Sequence, residues 1–284
     1  MNWERRFGLF AERKHREACS ARIRPLTTVA DHANEFSVES IQSDWTRLLF
    51  DGSFYASAPS DAASVNLVFV QSREGNTVAK DPGELGGGET DKHLLYEGLS
   101  RVHVDAVMAG AGTVVGEEVL FSVWHPELVR LRAALGKPRH PIQVVVSTQH
   151  AVTVRGELLF NVPSVRAVLI TTDDEAAAYG SAADRRPWLD VIGTGTRIDM
   201  RRAFEMLSRV YGVRSVSCVG GRTTAAALLE SGLVDDLYLT ISPQSGGEPN
   251  TPLYSGPLNR RLVVRKIGTG TESGITFEHW KLRW

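Results

Sequence analysis

The sequence has few cysteines, almost no net charge and no long apolar segment, and each shortage excludes a class of protein. Cys19 and Cys218 are the only cysteines in 284 residues, so neither a disulfide framework nor a cysteine-ligated metal cluster is expected. With 32 basic and 33 acidic residues, the chain lacks the basic excess that bulk binding of nucleic acid requires. No segment approaches the ~18 apolar residues of a membrane-spanning helix. We expect a cytoplasmic protein that contacts neither nucleic acid nor membrane.

Metal chemistry is also not indicated. The eight histidines show no H-E-x-x-H or comparable ligand spacing. We therefore predict no metal site.

The beginning of the chain differs from the remainder. The first 24 residues are rich in arginine and place Trp3, Phe7 and Phe10 at helical spacing, which predicts an amphipathic helix. Docking on the body of the protein or on a second subunit is the simpler interpretation, and a helix lying on a membrane surface is the alternative. Small and polar residues over 56–64 predict a linker or loop. We predict a partly helical N-terminal extension over 1–60 and one domain over 61–284.

Strands and helices alternate after residue 65, which predicts an α/β fold. After the glycine-rich loop over 83–88, Thr90 is predicted to cap a helix whose apolar stripe is Leu94, Leu95, Leu99 and Val102. In the clearest unit, Asp199 caps a helix that ends at Gly212 and whose apolar face is Met200, Phe204, Leu207 and Val210. A strand follows over 213–219, and a second helix leads to another strand. This order favours parallel pairing. Two final apolar runs, 261–267 and 275–282, predict an antiparallel hairpin. The expected architecture is a mixed, mostly parallel sheet flanked by helices.

Two glycine-containing turns follow strands of this predicted sheet. Glycine lets a ligand approach the backbone, and free N–H groups at a helix start attract phosphate. Ligands of such sheets bind at the carboxyl ends of the strands. A tight connection is the alternative interpretation of each turn. The Rossmann pattern fits poorly, because its third glycine comes one residue late and Ser147 and Thr148, rather than an acidic residue, end the next strand. The turns are Gly110-Ala111-Gly112-Thr113 and Gly220-Gly221-Arg222-Thr223-Thr224.

Three ordered segments carry a family pattern. They are D-A-V-M-A-G-A-G-T-V over 105–114, G-G-R-T-T-A-A-A-L-L over 220–229 and G-L-V-D-D-L-Y-L over 232–239. These segments resemble the reductase domain of the riboflavin-biosynthesis deaminase-reductases, a family with a dihydrofolate reductase-like fold. The resemblance extends from about Val65 to Leu282. No zinc-deaminase signature is present, so deamination is not expected.

The resemblance implies NADPH as cofactor and assigns its binding residues. Glu117 matches an acidic position beside the nicotinamide, where a carboxylate can orient the ring or relay a proton. Ser147 and Thr148 fall toward the adenosine side, where a polar strand end favours the 2′-phosphate. The other implied cofactor contacts are Gly110, Gly112, Thr113, Gly220, Gly221, Arg222, Thr223 and Thr224.

The substrate half of the family pattern is altered. Arg101 matches a substrate-phosphate arginine, and Ser72 lies in a turn resembling the family's S-x-D-G, with Glu74 in place of the aspartate. Trp124 stands where the family has a second substrate arginine. The usual Ser-x-Trp falls on glycine-rich sequence, and Val219 replaces a glutamate.

By resemblance, the reaction is hydride transfer to C1′ of a ribosylaminopyrimidine phosphate by a homodimeric enzyme, and the substrate that the resemblance implies is 5-amino-6-(5-phosphoribosylamino)uracil. One alternative is a related reductase with a different small substrate, which the altered positions suggest. The other is a nucleotide-binding or scaffold protein without turnover.

Overall fold

The central feature of the fold is a ten-stranded sheet that contains a strand from the N-terminal segment. The computed structural model describes residues 2–58, 62–79, 85–116, 118–148, 152–183, 185–270 and 274–284. The helices are α1 (Trp3–Ser20), α2 (Asp44–Leu49), α3 (Gly88–Thr90), α4 (Pro126–Ala134), α5 (Asp173–Ala183), α6 (Met200–Tyr211) and α7 (Arg222–Glu230). A π-helical segment, Asp91–Leu99, directly continues α3.

The strands are β1 (Leu26–Asp31), β2 (Val38–Ile41), β3 (Phe54–Ser57), β4 (Ser64–Gln71), β5 (Ala106–Gly110), β6 (Ile142–Val146), β7 (Ala167–Thr171), β8 (Leu189–Gly193), β9 (Ser215–Cys218), β10 (Asp236–Ile241), β11 (Arg260–Gly268) and β12 (Thr276–Leu282). Strands β2 and β3 form a separate antiparallel pair.

The large sheet has the order β1-β11-β12-β10-β4-β9-β5-β6-β7-β8. All neighbours from β10 to β8 are parallel, whereas β12, β11 and β1 are antiparallel to their neighbours. This arrangement confirms the predicted mixed sheet and C-terminal hairpin. The edge strand β1 was not predicted, because its pairing partner β11 lies more than 200 residues away in sequence.

Helix α6 forms as its sequence predicts. The Asp199 side chain accepts a hydrogen bond from the Arg202 amide, and Gly212 ends the helix at φ 67°. An aspartate N-cap and a left-handed glycine satisfy backbone groups that the helix itself leaves unpaired. Phe204 and Leu207 are buried, but Val210 is 62% exposed. The prediction that Val210 belongs to the buried face was therefore wrong.

The helix after the glycine-rich loop begins earlier than predicted. Thr90 was expected to cap it, but the helix already begins at Gly88. The Thr90 hydroxyl instead accepts a hydrogen bond from the Arg24 amide at 2.9 Å. Val102, predicted on the apolar stripe of this helix, lies beyond its end and is buried all the same.

The N-terminal segment packs on the main body. In α1, Phe10 is buried against a cluster that includes Trp124 and Leu158, and the Arg6 guanidinium contacts Glu118 at 2.6 Å. From the next part of the segment, Phe54 enters the same core as the π-helical segment. The predicted helix and its docking on the body are thus confirmed. The predicted division of the chain at residue 60 stays a prediction.

Candidate active site

Four of the predicted regions lie at one edge of the sheet, which we call the carboxyl edge. The strands β4, β9, β5 and β6 are consecutive neighbours and parallel. Ser72, Gly220, Gly110 and Ser147 lie at or just beyond their carboxyl ends. With strands about 4.8 Å apart, these four positions span roughly 14 Å. The sheet order therefore brings the two glycine turns and the Ser147 strand end together, where ligands of parallel sheets bind.

The two glycine turns are in direct backbone contact. The Gly110 amide donates to the Gly220 carbonyl at 3.2 Å. A Cβ atom on Gly221, which has φ +87°, would lie 3.2 Å from the Gly110 Cα, and a Cβ on Gly110 would lie 2.6 Å from the Thr224 Oγ1. Gly110 and Gly221 are therefore required for this packing, whether or not a ligand binds.

Gly112 and the start of α7 differ from these packed positions. A Cβ on Gly112 would meet nothing within 4 Å. Helix α7 begins at Arg222 without a side-chain cap, and the first N–H groups of a helix have no partners within the helix. Arg222 and Thr223 are exposed there. Thr113 borders the same space, since a Cβ on Gly220 would lie 2.9 Å from its Oγ1. This arrangement suits a phosphate group.

Ser147 and Thr148 extend the carboxyl edge beside the first glycine turn. Gly110 is paired with Val146, so Ser147 lies next to the start of that turn. The Ser147 amide donates to the Ile170 carbonyl at 3.0 Å. Its buried Oγ has no hydrogen-bond partner among the described residues, and Thr148 is exposed. A buried hydroxyl of this kind is available to a ligand.

Ser72 also lies at the carboxyl edge, but its hydroxyl is used within its own turn. The Oγ donates to the Glu74 carboxylate at 3.1 Å and accepts from the Asn76 amide at 3.3 Å. Glu74 also accepts a hydrogen bond from the Gly246 amide. Hydrogen bonds from Ser245, Ser72 and nearby amides hold the pKa of Glu74 at about 2. Glu74 in place of the family aspartate thus ties this turn to the segment after β10.

The structure does not bring Arg101 and Trp124 to the glycine turns. Arg101 precedes β5, and a five-residue strand separates its two ends by about 13 Å. Its guanidinium is buried over the Tyr96 ring, 3.8 Å from the centroid, and donates to the Ser122 carbonyl at 3.3 Å. Trp124 packs edge-on against Phe10. Both residues lie toward the amino ends of the strands, which we call the amino edge.

Glu117 lies outside the described residues, so its predicted role beside the nicotinamide stays a prediction. The next residue, Glu118, pairs with Arg6 at 2.6 Å and with Arg13 at 3.3 Å. Helix α1 therefore holds the chain immediately after this position.

A buried His–Glu pair was missed by the sequence analysis. His93 Nδ1 lies 2.8 Å from the Glu97 carboxylate, which also accepts the amide hydrogens of Trp124 and His125. Burial raises the pKa of Glu97, but the His93 contact and the two amides hold it below its usual range. The pair holds the loop before α4. Its only sequence signal is the i,i+4 spacing.

Comparison with known proteins identifies the family. The model of the RibD C-terminal domain matches residues 65–272. The chain belongs to this family. A 2,5-diamino-6-ribosylamino-4(3H)-pyrimidinone 5′-phosphate reductase from Methanothermobacter thermautotrophicus is 30% identical over 171 residues, covering 60% of this chain and 73% of that protein. The enzyme of the same name from Archaeoglobus fulgidus is 27% identical, with coverages of 54% and 68%.

Solved structures show the same fold at low sequence identity. A pyrimidine reductase-like protein from Corynebacterium diphtheriae superposes with a TM-score of 0.62 at 20% identity, covering 78% of this chain and 92% of the other. The riboflavin biosynthesis reductase Rib7 of Saccharomyces cerevisiae gives a TM-score of 0.56 at 19% identity, with coverages of 80% and 93%. These findings confirm the predicted family, its fold and the oxidoreductase class. None of the described helices is both long and apolar enough to cross a membrane.

Proposed function

We propose that the chain is an NADPH-dependent reductase of a ribosylaminopyrimidine 5′-phosphate. The observation that carries the proposal is the carboxyl edge, where Gly112, Thr113 and the uncapped start of α7 lie side by side. The names of the archaeal relatives favour the diaminopyrimidinone as substrate. The 5-amino-6-(5-phosphoribosylamino)uracil expected from the sequence is the second substrate to test.

The proposed reaction opens a ribose ring. NADPH, when bound, supplies a hydride. The hydride forms a C–H bond at C1′, the bond between C1′ and O4′ breaks, and O4′ takes one proton, which leaves a ribityl chain. The chain's own contribution is to bind and orient the two reactants. The α7 amides and Gly112 would hold the cofactor phosphates, Ser147 and Thr148 would receive the adenosine side, and Glu117 stays the residue predicted beside the nicotinamide.

Three further features belong to this proposal. The preference for NADPH over NADH rests on the polar Ser147–Thr148 strand end and is tested by comparing the KM values of the two cofactors. The resemblance to the family implies a homodimer, and the low cysteine content favours the cytoplasm. Light scattering on the purified protein tests the dimer, and fractionation of the source cells tests the location.

A related reductase with a different small substrate is the second candidate. The placement of Arg101 and Trp124 at the amino edge favours it, because the two positions that match substrate arginines do not line the carboxyl edge. We therefore leave these two residues out of the proposed site. If the protein binds NADPH tightly but reduces neither pyrimidine, the result supports this candidate or a protein without turnover.

The decisive experiment compares two glycine variants. Gly112→Val adds a side chain where nothing lies within 4 Å, so the fold should persist while the phosphate loses its approach to the backbone. Gly8→Val is the matched control, since a Cβ there also meets nothing within 4 Å. We expect Gly112→Val to raise the NADPH Kd at least about tenfold, measured by titration, and to slow NADPH oxidation at 340 nm.

Equal NADPH affinity in both variants and the unchanged protein would contradict the placement of the cofactor phosphates. Gly221→Val is a poorer test, although the sequence alone suggests it. A side chain at φ +87° that presses on Gly110 would also disturb the fold.

A further inference from the structure

A second cleft lies at the amino edge, between the start of α1 and the segments before β7 and β8. Its volume is about 450 Å³, within the range of roughly 300–1,000 Å³ typical of small-molecule sites. The parallel strands β7 and β8 separate it from the carboxyl edge by about 13 Å, so it is distinct from the proposed cofactor site. The lining includes Arg155, Arg185, Arg186, Trp3, Trp188 and Glu4.

Among the described residues, the cleft has more positive than negative charge. Arg155, Arg185 and Arg186 line it together with one carboxylate, that of Glu4. No described acidic residue forms an ion pair with Arg155 or Arg185. Burial and the charges of these two neighbours lower the pKa of Arg186. Three guanidinium groups that line one cleft favour an anion between them, with phosphate the best geometric match.

Buried polar groups hold the floor of the cleft in place. The Arg186 guanidinium donates from Nε and Nη2 to the Asn161 Oδ1, at 3.1 and 2.9 Å. Asn161 is 3% exposed, and its Nδ2 donates to the carbonyls of Val154 and Glu157, both at 2.8 Å. The arginine is therefore oriented before any ligand arrives, which lowers the entropy cost of binding.

Aromatic side chains supply the other half of the lining. The Trp188 indole Nε1 donates to the Phe160 carbonyl at 3.0 Å, which fixes the ring. Trp3, at the start of α1, lines the cleft as well, with the Arg6 guanidinium 5.0 Å from its ring centroid. Indole rings bind planar heterocycles by stacking and apolar contact. The cleft thus offers a cationic part and an aromatic part at once.

We propose that this cleft binds a phosphorylated planar heterocycle of about the size of a nucleoside monophosphate, with its phosphate on the arginines and its ring against the indoles. The proposal does not depend on the function proposed for the carboxyl edge. Inorganic phosphate would use only the cationic part of the lining, and an unphosphorylated heterocycle only the aromatic part, so a ligand that carries both groups makes the most contacts.

The test is calorimetric titration of the full chain with AMP, adenosine and inorganic phosphate. We expect AMP to bind at least about tenfold more tightly than either of the other two, and added salt to weaken it. AMP can also occupy the adenosine end of the proposed cofactor site, so the titration is repeated with saturating NADP⁺. We expect AMP to bind in the presence of saturating NADP⁺ as well.

An arginine variant locates the binding. Arg155→Ala/Arg185→Ala should raise the AMP Kd at least about tenfold while NADPH affinity stays unchanged. Arg197→Ala/Arg209→Ala, which removes two exposed arginines elsewhere, is the matched control and should leave the AMP Kd unchanged. Equal AMP affinity in the two double variants, or no AMP binding at all, would overturn the proposal. A hepta-glutamate peptide is titrated as well, because an acidic peptide is the other anion that an arginine cleft could bind. Tighter binding of this peptide than of AMP would also overturn the proposal.

Discussion

The two edges of the parallel sheet are built from different types of residue. At the carboxyl edge, glycine, serine and threonine predominate, and the contacts are backbone to backbone, as between Gly110 and Gly220. The amino edge instead contains buried charged side chains, including Arg132, which is 1% exposed, and Asp236, which is 2% exposed. The carboxyl edge leaves the first N–H groups of α7 without partners within the helix, whereas at the amino edge buried charged side chains hydrogen-bond to the loops.

The difference matches the function that we propose for the carboxyl edge. A ligand that carries phosphate needs free N–H groups and space, which small residues provide. A buried charge needs its hydrogen-bond partners from the protein itself. Asp236 has them: although burial raises its pKa, the hydrogen bond and charge of His279 and the charge of Lys281 hold it at about 2. Such a group stabilises the fold and has no capacity left for a ligand.

The largest expected effect is at the amino edge. The Arg132 guanidinium donates to the carbonyls of Arg101, Val104 and Pro138, at 2.9, 2.9 and 2.7 Å. Arg132→Met would leave these acceptors unpaired and lower the free energy of unfolding by about 3–5 kcal/mol. Urea denaturation measures this. Arg130→Met is the control on the same helix, where the exposed pair with Glu127 is worth ~0.5 kcal/mol. Similar losses in both variants would remove the distinction between buried and surface charge.

A smaller effect is expected at the carboxyl edge. Gly221→Ala combines an unfavourable φ of +87° with a Cβ 3.2 Å from the Gly110 backbone, and we expect it to cost about 2–3 kcal/mol. Gly212→Ala has a similar sign of φ, +67°, but meets nothing within 4 Å, so it should cost only about 1 kcal/mol. Thermal denaturation of both variants separates the cost of the positive φ angle from the cost of the contact with Gly110. An equal loss would show that contact between the turns contributes nothing.

The last effect is absent at neutral pH and is a pH dependence at the amino edge. Burial lowers the pKa of His103 to about 4 from its ordinary 6.5. Below pH 6.5 the unfolded chain takes up a proton that the folded chain takes up only near pH 4, so the folded state loses stability over that interval. His103→Phe removes this term and should make the decline shallower by up to about 1.4 kcal/mol per pH unit.

Urea denaturation at a series of pH values between 7 and 4 checks the His103 prediction. His15→Phe serves as control, because His15 is exposed on α1 and its replacement should leave the slope unchanged. A slope that is the same in His103→Phe and in the unchanged protein would show that this histidine titrates alike in both states.

Much of the candidate site was predictable because its signals are local. Glycine turns after apolar strands, and the cap and end of α6, depend on neighbouring residues only, so Gly110, Gly112, Gly220 and Gly221 were all found in the sequence. The surroundings of the predicted residues that do not lie at the carboxyl edge depend on distant contacts. Arg101 is polar and lies beside a helix, yet the Tyr96 ring covers its guanidinium. No local pattern reveals that stacking.

The sequence by itself determined the alternation of strands and helices, the family and the glycine turns, since periodicity and turn chemistry act over a few residues. Tertiary structure decided which of these features meet. The strand order places β9 between β4 and β5, and only this order brings the turn at Gly220 beside the one at Gly110. It also added β1 to the sheet through pairing with β11 and assembled the arginine cleft from three separate segments. Strand pairing and side-chain burial join residues far apart in the chain, so their outcome is settled only when the whole chain packs.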